Sequence, residues 1–448
     1  MGPKPNIVAI TFNLFLFGSL CSVVPNLEAC GDSPGECKQR TDTISNLQTD
    51  TLLNRGENVG TNEHESKTYF INKAGGDDAL MHGENIVDAF HAYIDKFGRT
   101  YMPGSSEYIE RLGLFGQRKS AVEAQNSMTD RLWTAGINVH SDRNDTELMH
   151  LLGGDVPRKN YGVSGSAHIS LRQDSTGSKA LATEITMWNN LDAVKNIRNQ
   201  GSCGSCWALS AVTLLQAHAE IAGRPRSFAA QELVDCVDNP HHCGGTGGCK
   251  GATVEMALDY VMQNGLATEK DVPYQAWHGF CTKQYRKQET DMDELFTPKL
   301  HAASHTDPSL SFGMVAWERL PENMYESLLH AVSDRGPVSV SVEGSRWFGY
   351  LTGIFDGCSS DPTINHSVLL VGYGEDAGTK FWLVQNAWGD DWGEEGKMRL
   401  LRNEDEGKRC GTDWKPKAGS GCDGGPSSIK VCGTCGILYN AVLPHFKA

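Results

Sequence analysis

The sequence predicts an α+β protein in which a helical unit leads into a larger domain, and three observations carry that expectation. Apolar residues recur at helical spacing twice before residue 130. A further helix opens near residue 205, and the strand-like runs VSVSV, SVLLVGYG and FWLVQNA all come after it. Helices first and strands later argue for α+β rather than a repeated βαβ wrap. At 448 residues, 39% hydrophobic and 21% charged, the chain has material for about three structural units and ample core. Wholesale disorder, collagen repeats and a multi-span membrane protein are excluded. Forty basic against 55 acidic residues give a net charge of −15, with no basic footprint for a nucleic-acid partner.

Lys4 followed by an apolar run from Ile7 to Val24 reads as a secretory signal over residues 1–24, cut between Ser22 and Ala29. A signal anchor is the competing reading, weakened by Asn13 in the middle of the run. No other stretch is apolar enough to span a bilayer, so no stable membrane anchor is expected. Residues 25–85 form a polar leader without sustained period. Val87, Phe90, Ile94 and Phe97 then mark one face of a helix that Gly98 stops. A second helix is expected from Glu107 to Asn126, within a helical unit covering 86–156. The glycine- and serine-rich stretch 157–180 reads as an exposed linker. The last unit, 181–448, opens with loops and a helix from Ser205 to Ala222, ended by Gly223. A helix over Glu322–Asp334 passes through Gly336-Pro337 into strands at 338–342, 367–374 and 381–387.

The chemistry concentrates in NQGSCGSCWALSAV, residues 199–212. Cys206 is placed at a helix start, where backbone amides favour an anion and raise the thiolate fraction. A thiolate nucleophile needs a base and a group to orient it. His366 opens a buried-looking strand, and Asn386 ends the next one. Nucleophile, base and orienter follow the triad logic. Gln200, six residues before Cys206, is placed to donate its amide to a developing oxyanion. Two other readings stand beside this one. Cys203 and Cys206 form a Cys-x-x-C that elsewhere marks a dithiol redox site, although Trp207 follows the pair and no βαβ unit surrounds it. The other is a catalytically silent binder built on the same scaffold.

CGSCW with a later histidine and asparagine resembles the papain and cathepsin cysteine proteases, over roughly residues 86–448. That resemblance implies two lobes, one helical and one β-barrel-like, with a cleft between them. It makes Cys206 the nucleophile, His366 the general base and acid, Asn386 the orienter and Gln200 the oxyanion donor. It places Trp388 over the Asn–His contact and pairs Gly251 with the substrate backbone. Thr253, Val254, Ser341, Ile364 and, at the floor, Asn440 would line the main side-chain pocket. The helix around residue 115 is similar to the prosegment of the cathepsin L-like branch, through Glu107, Arg111, Phe115, Arg118, Val122 and Asn126. Arg118 and Val122 depart from its pattern. A companion motif runs through Gly136, Asn138, His140 and Asp142, with histidine where phenylalanine is usual. The resemblance implies a zymogen whose helical prodomain lies along the cleft in reverse and blocks it. Titration of Asp142 and His140 is expected to loosen that contact as pH falls, allowing cleavage near Lys179–Thr186.

The resemblance also implies the disulfides Cys203–Cys249, Cys236–Cys281 and Cys358–Cys435. Cys243, Cys410, Cys422 and Cys432 remain, with three possible pairings. The glycine-rich insertion 402–431 is longer than the family leads one to expect and reads as a stapled surface loop. Cysteine spacing matches no standard zinc site, so no metal and no cofactor are expected. His241-His242 are similar to the paired histidines of an exopeptidase occluding loop but lie before Cys249, and read as an exposed turn. The expected activity is that of a monomeric endopeptidase acting on proteins and peptides, in a lysosome or vacuole or outside the cell.

Overall fold

The computed structural model describes residues 85–153, 187–281 and 312–447. The signal, the leader up to residue 84, the linker with its processing region, the polar segment 284–311, and Cys21, Cys30 and Cys37 lie outside the described residues. Three helices and a short strand make the N-terminal unit: α1 (Ile86–Lys96), α2 (Ser106–Asn126), β1 (Trp133–Ala135) and α3 (Asp145–Leu151). Asn85 and Ser105 cap α1 and α2, and Asn144 with Glu147 closes a capping box on α3. Aromatic rings fill the small core of this unit, with Phe90 and Phe115 5.4 Å apart. Each motif residue on α2 has a task. Phe115 and Val122 are buried, while Arg111 grips both Glu147 carboxylate oxygens through its two terminal guanidinium nitrogens. Asn126 exchanges two 2.9 Å bonds with Ala135, which fixes β1 against the end of α2.

The larger unit has a helical lobe of α4 (Asp192–Lys195), α5 (Cys206–Ile221), α6 (Ala230–Cys236) and α7 (Val254–Asn264). Helix α5 is apolar nearly all round, the pattern of a helix buried on every side. It ends at Gly223, which takes φ +72°. The second lobe holds β2 (Met314–Arg319), α8 (Tyr325–Asp334), β3 (Val338–Val342), β4 (Tyr350–Phe355), β5 (His366–Asp376), β6 (Thr379–Gln385) and β7 (Lys397–Leu401). After these come β8 (Cys410–Asp413), β9 (Ile429–Cys432) and β10 (Asn440–Phe446). The expected helix at 322 begins three residues later, at Tyr325, behind Met324. Eight strands form one sheet in the order β1-β4-β7-β6-β5-β3-β10-β2, with β8 and β9 a separate pair. All neighbours are antiparallel except β4 and β7. Strand β1 therefore extends the sheet of the larger unit by pairing Trp133 with Gly353. Among the described residues no helix is long and apolar enough to cross a membrane.

Five disulfides staple this unit: Cys203–Cys249, Cys236–Cys281, Cys358–Cys435, Cys243–Cys422 and Cys410–Cys432. Among the described residues Cys206 is the free thiol. With Cys203 bound to Cys249, the dithiol reading of Cys203 and Cys206 fails. The insertion starts beyond Arg402, which is buried and donates to the carbonyls of Phe381 and Gly374. Its β8–β9 pair is closed by Cys410–Cys432, and Cys422 ties its tip to the helical lobe. A stapled loop is what the sequence suggests, but not one attached to the opposite lobe.

Candidate active site

Cys206 is the first residue of α5, and no side chain caps that helix start. Its sulfur is reached instead by the backbone amides of Trp207 and Ser367. Ser367 follows His366 on β5, so thiol and imidazole, 160 residues apart in sequence, line one cavity. His366 Nε2 lies 2.8 Å from Asn386 Oδ1, leaving Nδ1 buried without a partner. That leaves Nδ1 as the ring nitrogen open to proton exchange. Trp388 covers the pair, with its ring 5.0 Å from the imidazole and 1% of its surface exposed. Its indole N–H donates to Gln200 Oε1 at 3.1 Å, so Gln200 presents its amide nitrogen inward.

That amide is already engaged. Gln200 Nε2 donates to the Leu151 carbonyl at 2.7 Å and to the Cys203 carbonyl at 2.8 Å. Leu151 closes α3 of the N-terminal unit, and Leu152 and Gly153 continue along the cleft. A β-carbon on Gly251 would lie 2.3 Å from the Gly153 carbonyl oxygen, so only glycine permits this approach. Further back, Asn138 Nδ2 donates to the Phe348 carbonyl at 2.6 Å. The His140 ring stands edge-on to Phe348 at 5.4 Å and to Trp388 at 5.1 Å.

This cover reverses one expectation. The sequence places a thiolate at the helix start, yet burial pushes the Cys206 thiol up to about 11 and the amides of Ser367 and Trp207 only partly offset it. Burial likewise lowers His366 to about 4. Burial in the covered cleft thus disfavours the charged form of each group. His140 is held well below its usual range, first by burial and then by Arg143, Arg99 and His366. Asp142 faces elsewhere. Its carboxylate takes Arg99 at 2.8 and 3.0 Å and the Tyr101 hydroxyl at 2.7 Å, all within the N-terminal unit.

The expected pocket separates into two groups. Gly251, Thr253 and Ser341 line the cavity with Cys206 and His366, whereas Val254, Ile364, Asn440 and Trp388 do not. Val254 turns into the core of the helical lobe. Ile364 is fully buried, and Asn440 lies behind Ser341, its Nδ2 2.8 Å from Glu255 Oε1. Gly244, Gly419 and Ser420 line the cavity unanticipated. His242 is exposed as expected, but its Nδ1 stands 2.8 Å from Asp423 Oδ2 of the insertion. The covering residues Leu151–Gly153 were also missed. An apolar pair before two glycines, just past the Gly136–Asp142 motif, was the available signal.

Comparison with known proteins agrees with the geometry. The profile described as "Papain family cysteine protease" matches residues 182–419. Cathepsin S of Bos taurus is 34% identical over 70% of this chain and 87% of its own length. Chymopapain of Carica papaya is 30% identical over 72% and 84%. Among solved structures, a digestive procathepsin L2 proteinase from Tenebrio molitor larval midgut superposes with a TM-score of 0.60. It is 25% identical, covering 81% of this chain and all of that one, 100%. The fold and this family match define the class, a thiol-dependent peptidase with a helical N-terminal unit like that of a proform. The chain belongs to the papain family of cysteine proteases.

Proposed function

We propose that the chain is the zymogen of a cysteine endopeptidase of the secretory route, bound for a lysosome or vacuole or for the cell exterior. Its parts are a signal at 1–24, a polar leader at 25–85, an inhibitory prodomain at 86–156, a linker with the processing region at 157–180 and the catalytic domain at 181–448. The observation that carries this reading is the free Cys206 sharing a cavity with His366, whose far nitrogen is held by Asn386. Once the cleft is open, Cys206 sulfur attacks the peptide carbonyl and its proton resides on His366 Nδ1. The oxyanion takes the Gln200 amide, now released from Leu151, together with the Cys206 backbone N–H. His366 then protonates the departing amine, and an acyl-enzyme remains. Water that gives its proton to His366 releases the acid and restores the thiol. Asn386 keeps the imidazole in the orientation that both steps need.

The prodomain inhibits by using these groups itself. Leu151 presents its carbonyl to the oxyanion donor, and Gly153 lies against Gly251. Acid-matured protein should cleave a fluorogenic dipeptide amide. Cys206→Ala should lose roughly 10⁴–10⁶-fold in kcat, and Gln200→Ala about 10²–10³-fold. Full turnover in Cys206→Ala would remove the reading. A folded wild-type chain that binds peptides without cleaving them would favour a silent binder.

A further inference from the structure

The loop between Cys236 and Cys249 and the insertion after Arg402 belong to opposite lobes, and Cys243–Cys422 joins them beside the cleft. Three other contacts run along the same crossing. The Asp423 N–H donates to the His241 carbonyl at 2.8 Å, and the Gly244 N–H to the Gly421 carbonyl at 3.3 Å. The third is the His242–Asp423 pair. At its other end the insertion is fastened to the segment that leads into His366. Asp361 Oδ1 accepts from the Thr412 N–H at 2.8 Å, and Asp413 Oδ2 from the Ile364 N–H at 3.1 Å. Ser420 N–H donates to the Ile364 carbonyl at 2.6 Å. A β-carbon on Gly419 would lie 2.0 Å from that same carbonyl oxygen, so the insertion lies hard against the strand entrance. Gly244, Gly419 and Ser420 thereby become wall residues of the cavity that holds Cys206, His366, Thr253 and Ser341.

We propose that the Cys243–Cys422 bridge fixes Gly419 and Ser420 as the outer wall of the pocket for the residue two positions before the scissile bond. The insertion then determines substrate choice by limiting the bulk of the side chain that this position accepts. This rests on the catalytic reading above. A loop tied only at its base yields to a large side chain, whereas this wall is held from both lobes. Opening the bridge removes the covalent part of that hold. With Leu152 and Gly153 in place, the space left in the cavity is about 20 Å³, room for one water. Rejection of an oversized group by a rigid pocket is strong, because overpacking strains the surrounding wall.

The test uses the acid-matured enzyme and dipeptide amides that differ only in the residue two before the cut: valine, leucine, phenylalanine or tryptophan. Peptide mapping without reductant should recover Cys243 joined to Cys422. Wild type should prefer leucine to phenylalanine in kcat/KM, and Cys243→Ser/Cys422→Ser should reduce that ratio about tenfold. Ser420→Leu leaves the bridge intact and narrows the cavity, so it should move preference from leucine towards valine. It also carries the test alone if the double variant does not fold. Unchanged ratios in both active variants, or free thiols at Cys243 and Cys422, overturn the proposal while leaving the protease reading intact. A wild-type enzyme inert towards every peptide removes the protease reading, and this proposal with it.

Discussion

His140 shows how one substituted side chain can tie inhibition to pH. Its ring occupies an aromatic slot between Phe348 and Trp388, where neither nitrogen has a hydrogen-bond partner. The charged and titratable groups facing it are Arg99 and Arg143 from its own unit and His366 from β5, and all three disfavour its protonation. Its pKa is depressed in the docked state, so the released prodomain binds the proton more readily. Docking is then at full strength above the free value of about 6.5 and weakens as pH falls below it, until the depressed value is reached. Wild-type precursor should therefore process faster at about pH 4.5 than at about pH 7. His140→Phe, which cannot take up the proton, should lose about tenfold of that acceleration. Densitometry of both chains across the pH range decides it, and superimposable profiles would sink the histidine's role. The sequence located this position through the Gly136–Asp142 motif but weighted Asp142 equally. Three-dimensional packing separates them, because Asp142 is bound to Arg99 and Tyr101 and does not face the cleft.

At the scale of elements, long periodic stretches were readable and short paired ones were not. Helix α2 spans Ser106–Asn126 almost as its spacing predicts, because Phe115 and Val122 supply a buried stripe over 21 residues. Strand β1 has three residues and no alternation to detect; it is a strand only because β4 offers it an edge. The β8–β9 pair is likewise defined by its partner strand and by Cys410–Cys432. Side-chain bonds join the small aromatic core within the N-terminal unit. Arg99 reaches Asp142, Tyr93 and the Val139 carbonyl, and so connects the end of α1 to the segment approaching the cleft. Asp142→Ala leaves that guanidinium half-buried without its carboxylate. The cost should be about 3 kcal/mol. In a calorimetric scan of the precursor the prodomain transition should fall in temperature, and processing at neutral pH should rise. An unchanged transition would mean that the aromatic core alone holds the unit.

Over the whole molecule, the chemical state of the site depends on a segment far from it in sequence. Helix α5 and strand β5 bring Cys206 and His366 together, and that much followed from the motif. The burial that works against both charges did not, because it depends on the cover by Leu151–Gly153, a property of the assembled fold rather than of any one stretch. Burial raises the thiol to about 11 and lowers the imidazole to about 4, so in the covered cleft it works against the charged form of each. Removing the prodomain restores water and leaves the α5 amides and the Ser367 amide in place, which favours thiolate beside imidazolium. Alkylation by iodoacetamide reads this change directly, since the thiolate is the reacting form. In the precursor the rate should be low at neutral pH and climb only towards alkaline values. In the matured enzyme it should already be level from about pH 5 to pH 8. Steric cover alone would slow the precursor without altering the shape of its profile. A precursor showing the same acidic plateau would therefore mean that the prodomain blocks the cleft without discharging the pair.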